Sequence, residues 1–444
     1  NWYNLEKKYH TAEGRTTFMS NILRKIIPEN HPLRLLYYKF LAAIAALING
    51  FPADKMIIIG VAGTTGKTTT ASFISSILTS SGHKVGQWTD QKRSGSFSSF
   101  FLQGLLKEMV SAGKKFAVLE VSSSASAQSK FFGINFDVGI VTNVDSYLSA
   151  QGDLFKKVSR GKRKFGVPKV LVMNADDKYY TYFNQFIADR KITYGLKSAV
   201  VYAENVEKNP DGSHFIMHVP NNAVPIKIGM PGEFNVYNAL AAASACMALQ
   251  IPLENIKNGL EEMTSVSGRY EHIKCGQKYS VIVDYAHTPE GLDGLFSLYR
   301  KLTPGRLFAV FGASGMESDK SKRAKMGAVG NEYADYLIVT DDDPCDEDEF
   351  AIIDDVCSGI PRREGSGFWK IPDRREAIRL ALTLAKEGDC VIVAGKGAEE
   401  ITKIRGKTIS WSDKKVITEL LQREIEVEIS PDEWEKRENV CFES

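Results

Sequence analysis

This 444-residue chain has no CxxC pair, no run of about twenty uninterrupted apolar residues and no marked excess of either charge sign. Each absence removes a class of function. The six cysteines, at 246, 275, 345, 357, 390 and 441, lack the spacing of a structural zinc site or a disulfide framework, which fits reduced thiols in a cytoplasm. A formal net charge of +2, from 56 Lys+Arg and 54 Asp+Glu, argues against a general polyanion-binding surface and against nucleic acid as a partner. With 43% hydrophobic residues the chain is not dominated by disorder. The most apolar N-terminal stretch, 33–51, is broken by Arg34 and Lys39 and lies too far in for a secretion signal. It reads as an amphipathic helix, either packed on the domain that follows or touching a membrane surface or a partner protein.

What is present is an alternation of short apolar runs with helix-like segments. The chain is too long for one ordinary core, so two or three domains are expected. Residues 1–54 form a helical, basic extension. Runs at 55–61, 115–121, 136–143 and 169–174 predict buried parallel strands with crossover helices, followed by alternating β structure over 190–230 and a helix over 235–249. This central α/β domain spans 55–265. A second series, with strands at 279–285, 306–312, 335–340 and 389–395, predicts a Rossmann-like C-terminal domain over 266–425, in which Ser412 and Asp413 cap a last helix. A charged tail, 426–444, completes the chain.

The segment GVAGTTGKTTT, 60–70, lies between a predicted strand and a predicted helix. That placement aims backbone N–H groups and a helix N-terminus at one point, as phosphate oxygens require. Gly63, Thr64, Thr65, Gly66, Lys67, Thr68 and Thr69 are the candidate cradle, with Lys67 bringing charge to the β and γ phosphates and the Thr68 hydroxyl reaching Mg²⁺. Val61 stands where the usual GxxxxGK[ST] pattern has its first Gly. Glu120 ends a buried strand and is either a metal carboxylate or a solvated strand end.

GTTGKTTT, EVSSS (120–124), GEFNVYNALAA (232–242), SGRYE (267–271), DYAHTPEGL (284–292), DKSKR (319–323), TDDDP (340–344) and AGKGAEE (394–400) occur in this order. Together they resemble the Mur ligase family, and most of all its MurE-type members, which add a diamino acid to a peptidoglycan precursor. The resemblance covers about 55–425 and implies a central ATPase domain and a mobile C-terminal domain that delivers the amino acid. It also implies ATP and Mg²⁺ as cofactors, cytoplasmic location and an acyl-phosphate route. A substrate carboxylate takes the γ phosphate, and an incoming amine then expels it. Catalytic roles fall on Lys67, Glu120 and Arg269, and metal binding on Thr68 and Glu120. Asn238 and His287 are assigned to the nucleotide, the alternatives being a capping Asn and a core His. Lys320, Lys322 and Arg323 either add charge along the cleft or are solvated at the surface. The amine-bearing substrate is placed against Asp343, Gly395, Gly397 and Glu399.

The sequence departs from the family at the positions that help to hold a second metal. Ser124, Tyr147, Gln151 and Gly161 stand where the family has the His of its ExSSHA motif, the His-bearing DHLDxHG segment and its carbamylated lysine, and no histidine occurs between 84 and 213. Lys162, one residue out of place, is the remaining candidate for the modified lysine. The region before the phosphate loop is too short for the separate domain that holds the UDP part of the precursor. Cys345 replaces the Arg of the diaminopimelate signature, so the acidic stretch at 341–349 suits an amino acid with a cationic side chain, such as lysine or ornithine, or is a solvated loop. Three readings follow: an active amide ligase acting on an amino acid and a carboxylate-bearing peptide precursor, a nucleotide-binding pseudo-ligase serving as scaffold or partner subunit, and another P-loop ATPase or phosphotransferase. The last has no need of the C-terminal motifs.

Overall fold

The computed structural model describes residues 32–89, 98–144, 148–209, 212–315 and 319–428. Residues 1–31 of the expected helical extension, Tyr147 and the tail beyond 428 lie outside them. The chain divides into two compact units, Asn1–Thr264 and Ser265–Ser444.

In the first unit the strands are β1 (Ile57–Ala62), β2 (Val85–Trp88), β3 (Phe116–Glu120), β4 (Val138–Val141), β5 (Val170–Asn174), β6 (Arg190–Gly195), β7 (Val201–Asn209), β8 (Gly212–Val219) and β9 (Asn222–Ile228). Its helices are α1 (Pro32–Ile48), α2 (Lys67–Ser80), α3 (Ser99–Ser111), α4 (Ser123–Ala127), α5 (Leu148–Arg160), α6 (Tyr180–Asn184), α7 (Glu233–Ala248) and α8 (Leu253–Glu262). The strands form one nine-stranded sheet in the order β2-β3-β1-β4-β5-β6-β7-β8-β9. Pairing is parallel from β2 to β7 and antiparallel from β7 to β9. The central parallel strands β1, β3, β4 and β5 are apolar except at their ends because helices cover both faces, whereas β8 and β9 show the polar alternation of a half-solvated sheet. Local chemistry sets some helix starts: Ser98 accepts the Phe101 N–H and so caps α3.

Helix α1 packs on the domain that follows, as one of the two expected readings had it, but not by the large apolar side chains of an amphipathic helix. It buries a narrow face of Ala42, Ala45 and Ala46 and leaves Leu36, Phe40, Leu47 and Ile48 exposed. Its packing on the domain that follows therefore uses its smallest side chains.

The second unit contains β10 (Glu271–His272), β11 (Ser280–Asp284), β12 (Leu307–Phe311), β13 (Tyr336–Val339), β14 (Phe368–Lys370) and β15 (Cys390–Ala394), with a separate hairpin of β16 (Ile401–Ile404) and β17 (Lys407–Ser410). The helices are α9 (Pro289–Leu302), α10 (Ser321–Tyr333), α11 (Glu349–Cys357), α12 (Arg374–Leu384) and α13 (Asp413–Glu428). The main sheet runs β10-β11-β15-β12-β13-β14, parallel except for β10. Cores lie on both of its faces, as a Rossmann-like layer demands. Thr288 caps α9 ahead of Pro289, and Asp373 caps α12.

Of the pair expected to cap the last helix, Ser412 accepts the Lys415 N–H with Oγ at 3.4 Å, but Asp413 does not act as a cap. Its carboxylate instead lies fully buried and accepts from Arg374 Nε at 2.8 Å, Arg374 Nη2 at 2.7 Å and Trp411 Nε1 at 2.8 Å. Arg374 also donates to the Asp341 and Ala394 carbonyls, so one guanidinium ties three segments together. Burial opposes the charge on Arg374, but Asp413 outweighs it and keeps the group firmly ionised. Truncating one partner of such a pair strands the other charge without a counterion. Arg374→Met is expected to cost the second unit about 3–5 kcal/mol, read from urea unfolding of the full chain. An unchanged midpoint would show that the pair does not hold these segments.

Candidate functional site

The end of β1 and the start of α2 are joined by Gly63, Thr64, Thr65 and Gly66. Two glycines make this loop possible. Gly63 has φ +144° and Gly66 has φ +80°, and an added Cβ would meet Thr142 Oγ1 at 1.9 Å and Asn238 Oδ1 at 2.2 Å. The loop is held from the side by the end of β4. Asn143 accepts from the Thr64 N–H with its carbonyl (3.0 Å) and from the Thr65 N–H with Oδ1 (2.9 Å), while Thr142 Oγ1 donates to the Thr65 carbonyl (2.6 Å). The Thr64 and Thr65 amides are thus engaged within the protein. The donors left to a bound anion are the first-turn N–H groups of α2, which have no intrahelical acceptors.

Lys67 Nζ donates to the Gly63 and Thr64 carbonyls at 2.9 and 3.0 Å, so its ammonium sits over the loop. Thr68 Oγ1 donates to Glu120 Oε2 at 3.0 Å, and both side chains are buried. A hydroxyl and a carboxylate are hard oxygen donors of the kind Mg²⁺ takes together with phosphate oxygens and water. Asn238 stands behind the loop. Its Oδ1 accepts from Thr70 at 3.3 Å and its Nδ2 donates to Asn235 at 3.2 Å, so both ends of the amide are engaged within the protein. Gln151, one of the departures from the family pattern, is buried with Nε2 3.4 Å from Thr64 Oγ1.

Lys162 is a correction. It lies in the segment that leads into β5, with Nζ on Asp54 at 3.0 Å in the segment that leads into β1. The phosphate loop leaves β1 at the other end. Six residues of strand, about 20 Å, separate the two edges. Lys162 is therefore too far from Glu120 to share a metal with it in this structure. Gly161 lies on that same edge, near the Phe136 carbonyl, while Ser124 is exposed at the start of α4. Among the described residues no group of three or more His, Cys, Asp or Glu is placed to hold a metal. Thr142 and Asn143 were missed by the sequence reading. Their signal was the polar pair that closes the apolar run 136–141, which puts side chains at the same sheet edge as Glu120.

In the second unit three motifs meet. The Arg269 guanidinium lies 4.8 Å from the centre of the Tyr285 ring, and His287 packs edge-on to the same ring while Nδ1 donates to the Tyr285 carbonyl at 2.8 Å. Gly397 and Gly268 fit against each other and against Tyr285, where an added Cβ would come within 2.8 Å or less of neighbouring atoms. Asp284 beneath them accepts from the Tyr270 and Ala286 amides. Burial nevertheless pushes its pKa above the usual range against the pull of Arg269.

Two further assignments change. Arg323 is fully buried, with Nη1 on Glu347 and Asp355 and Nη2 on Glu347 and the Ser314 carbonyl, and Lys320 also pairs with Glu347. Their charge is compensated inside the unit, and solvation at the surface does not describe Arg323. Asp343 and Glu399, expected to face a cationic substrate, are bridged by the chain's own Lys396 at 2.7 and 3.2 Å. Lys396 is almost completely buried, behind Gly395, where a Cβ would strike Asp342 Oδ2 at 2.1 Å. Burial raises Asp343, but Lys396 and the Lys403 amide overcome it and leave the group below its usual range, whereas burial prevails at Glu399.

Asp341 has no ion pair within 4 Å among the described residues. Burial and then the Asp342 charge push its pKa from 3.8 up to about 6. A carboxyl with a raised folded-state pKa binds more protons folded than unfolded between those values. Its contribution to stability is therefore complete below pH 3.8 and lost as pH rises through about 6. Asp341→Asn should flatten the fall in stability over that interval, measured as unfolding midpoints at pH 4, 5, 6 and 7 on the order of one unit apart. Identical pH slopes in the two proteins would contradict this.

Two family models match the chain, the Mur ligase middle domain over residues 61–246 and the Mur ligase glutamate ligase domain over 268–397. The UDP-N-acetylmuramoyl-L-alanyl-D-glutamate–2,6-diaminopimelate ligase of Clostridium tetani is 36% identical over 408 residues, covering 86% of this chain and 81% of its own. The UDP-N-acetylmuramyl-tripeptide synthetase of a Roseiflexus species is also 36% identical, covering 84% and 80%. A solved UDP-N-acetylmuramoyl-L-alanyl-D-glutamate–2,6-diaminopimelate ligase superimposes with a TM-score of 0.58 at 26% identity, over 83% of this chain and 79% of that one. On the phosphate loop, the motif cluster around Tyr285 and these matches over most of its length, the chain belongs to the Mur ligase family.

Proposed function

We propose that this protein is an ATP-dependent amide ligase that adds an amino acid to the carboxylate of a muramoyl-peptide precursor through an acyl phosphate. The observation that carries the reading is the buried Thr68–Glu120 pair beside Lys67 at the mouth of the glycine loop. A phosphate loop binds; a loop with a buried carboxylate against its Thr can also place a metal on the transferring group.

In this reading the α2 N-terminus and Lys67 hold the β and γ phosphates, Lys67 leaving its two loop carbonyls to do so. Thr68 and Glu120 would hold Mg²⁺, which supplies charge neutralisation at the phosphoryl group. Asn143 and Thr142 keep the loop from collapsing while charge builds on the transferring oxygens. Transfer leaves an acyl phosphate and ADP; attack by the amine then forms the amide and releases inorganic phosphate. Arg269, stacked on Tyr285 with His287, presents a fixed cation and an imidazole on the second unit for the nucleotide. One observation favours the catalytically altered alternative, namely Lys162 paired to Asp54 instead of standing at the metal.

Lys67→Ala is expected to reduce ATP turnover by about 10²–10³-fold in an assay of phosphate release with a muramoyl-dipeptide acceptor and a panel of amines. Equal affinity and turnover in the variant would remove the site assignment. ATP binding by the wild type without turnover on any amine would favour the altered reading.

For the amine, Asp341 stands without an ion pair within 4 Å among the described residues, and Cys345 offers no charge to a second substrate carboxylate. Lysine or ornithine should outcompete diaminopimelate by about fivefold, since such pairs in a partly solvated site are worth about 1 kcal/mol. Cys345→Arg should shift that ratio towards diaminopimelate, the amine named for the clostridial relative. Diaminopimelate as the best amine of the unaltered protein overturns the preference.

A further inference from the structure

The first unit carries an apolar, basic surface that ligase chemistry does not use. Along α1, Leu33, Leu36, Phe40 and Leu47 fall within a stripe of about 60° at 100° per residue, and all four are exposed while alanines fill the opposite, buried face. A helix in water normally does the reverse. The stripe runs on through exposed Ile48 to Phe51, which enters β1.

Three more exposed apolar side chains share one edge of the sheet. Phe132 precedes β4, Phe165 precedes β5 and Ile187 precedes β6, and these strands lie side by side and parallel to β1. Phe165 is wholly exposed at the tip of a tight turn closed by the Lys164–Val167 bridge, with Gly166 at φ +72°. The turn is fastened down. Lys164 Nζ donates to the Met56 carbonyl at 2.7 Å and the Asn135 carbonyl at 3.2 Å, and Lys162 pairs with Asp54, so the Phe165 ring is held out in water by a rigid mount.

The same edge is strongly basic. The segments that lead into β1 to β6, namely 49–56, 81–84, 112–115, 128–137, 161–169 and 185–189, contain nine Lys or Arg and three Asp, a surplus of +6 in a chain whose total is +2. One of the three, Asp137, is fully buried with Lys169 and Lys164 paired to it, and Asp54 and Asp189 are paired with Lys162 and Arg163 of the turn, so the rest of this edge's positive charge is on Lys55, Lys84, Lys114, Lys115 and Lys130. The phosphate loop and Glu120 leave from the opposite edge, so this surface can be covered without covering the site.

We propose that this edge, together with the outer stripe of α1, is an in-plane docking surface for an anionic lipid bilayer. The apolar side chains insert to the depth of the acyl boundary and the flanking Lys and Arg meet lipid phosphates, an arrangement of interfacial anchors. No described helix is long and apolar enough to cross a membrane, so contact is from one side. A nucleic acid would use the basic residues but not a stripe of leucines, and the two together fit lipid. The inference does not depend on the ligase reading.

The test is sedimentation of the full chain with vesicles of phosphatidylcholine alone or with about 30% phosphatidylglycerol, using wild type, Phe165→Ser/Ile187→Ser and Leu36→Ser/Phe40→Ser. Wild type should bind the anionic vesicles at least about tenfold more tightly than the neutral ones and release at about 0.5 M salt. Each double variant should bind about tenfold more weakly with unaltered circular dichroism, melting and ATP turnover. No binding of wild type to anionic vesicles, or equal binding by the variants, overturns the proposal. So does lipid-free self-association of wild type that the variants abolish, the result a second copy of the chain would give.

Discussion

The parallel pairing of β1 with β3 and β4 is the constraint on which the first unit depends. Val61 lies level with Glu120 across one side of β1, and Ala62 lies level with Val141 across the other. The loop that leaves β1 therefore opens between a strand-end carboxylate and the Thr142–Asn143 pair, with no long side chain needed to span a gap. A shift of one residue in the β1–β3 pairing would turn Glu120 to the other face of the sheet, away from Thr68. Register is secured by burial on both faces, since each slip would carry Ile58, Val118 or Ile140 out of its packing.

The same polarity divides the unit's chemistry. Every parallel strand sends its C-terminal end to one edge, where backbone donors and oxygen ligands gather, and takes up its incoming segment at the other, where Lys and Arg accumulate. Lys162 illustrates the consequence. Near Gln151 in sequence, it is separated from it in space by the length of α5, because that helix returns the chain to the incoming edge before β5 begins.

The second unit is organised by buried charge. Arg374 with Asp413, Arg323 with Glu347, and Lys396 with three carboxylates each join segments distant in sequence, and each group is costly to leave alone. These networks compensate side chains whose sequence context reads as surface charge. They leave Asp341 as the carboxylate without an ion pair within 4 Å among the described residues of that cluster, and so give the acidic stretch at 341–349 a more particular shape than its composition suggests.

Much of this was legible in the chain itself. Apolar runs of strand length, the GTTGKT loop, DYAHTP and GKGAE determined the α/β class, the two sheets and the family, because those signals are local: a strand buried on both faces must be apolar, and a loop at φ +144° and +80° must be Gly. What only the tertiary structure decided was partnership. Whether Glu120 meets Thr68, whether Asp343 faces solvent or Lys396, and whether Asp413 caps a helix or neutralises Arg374 depend on distances between residues tens of positions apart. The direction in which α1 turns its leucines was equally hidden, since alanine and leucine both read as apolar and only packing shows which of them is buried.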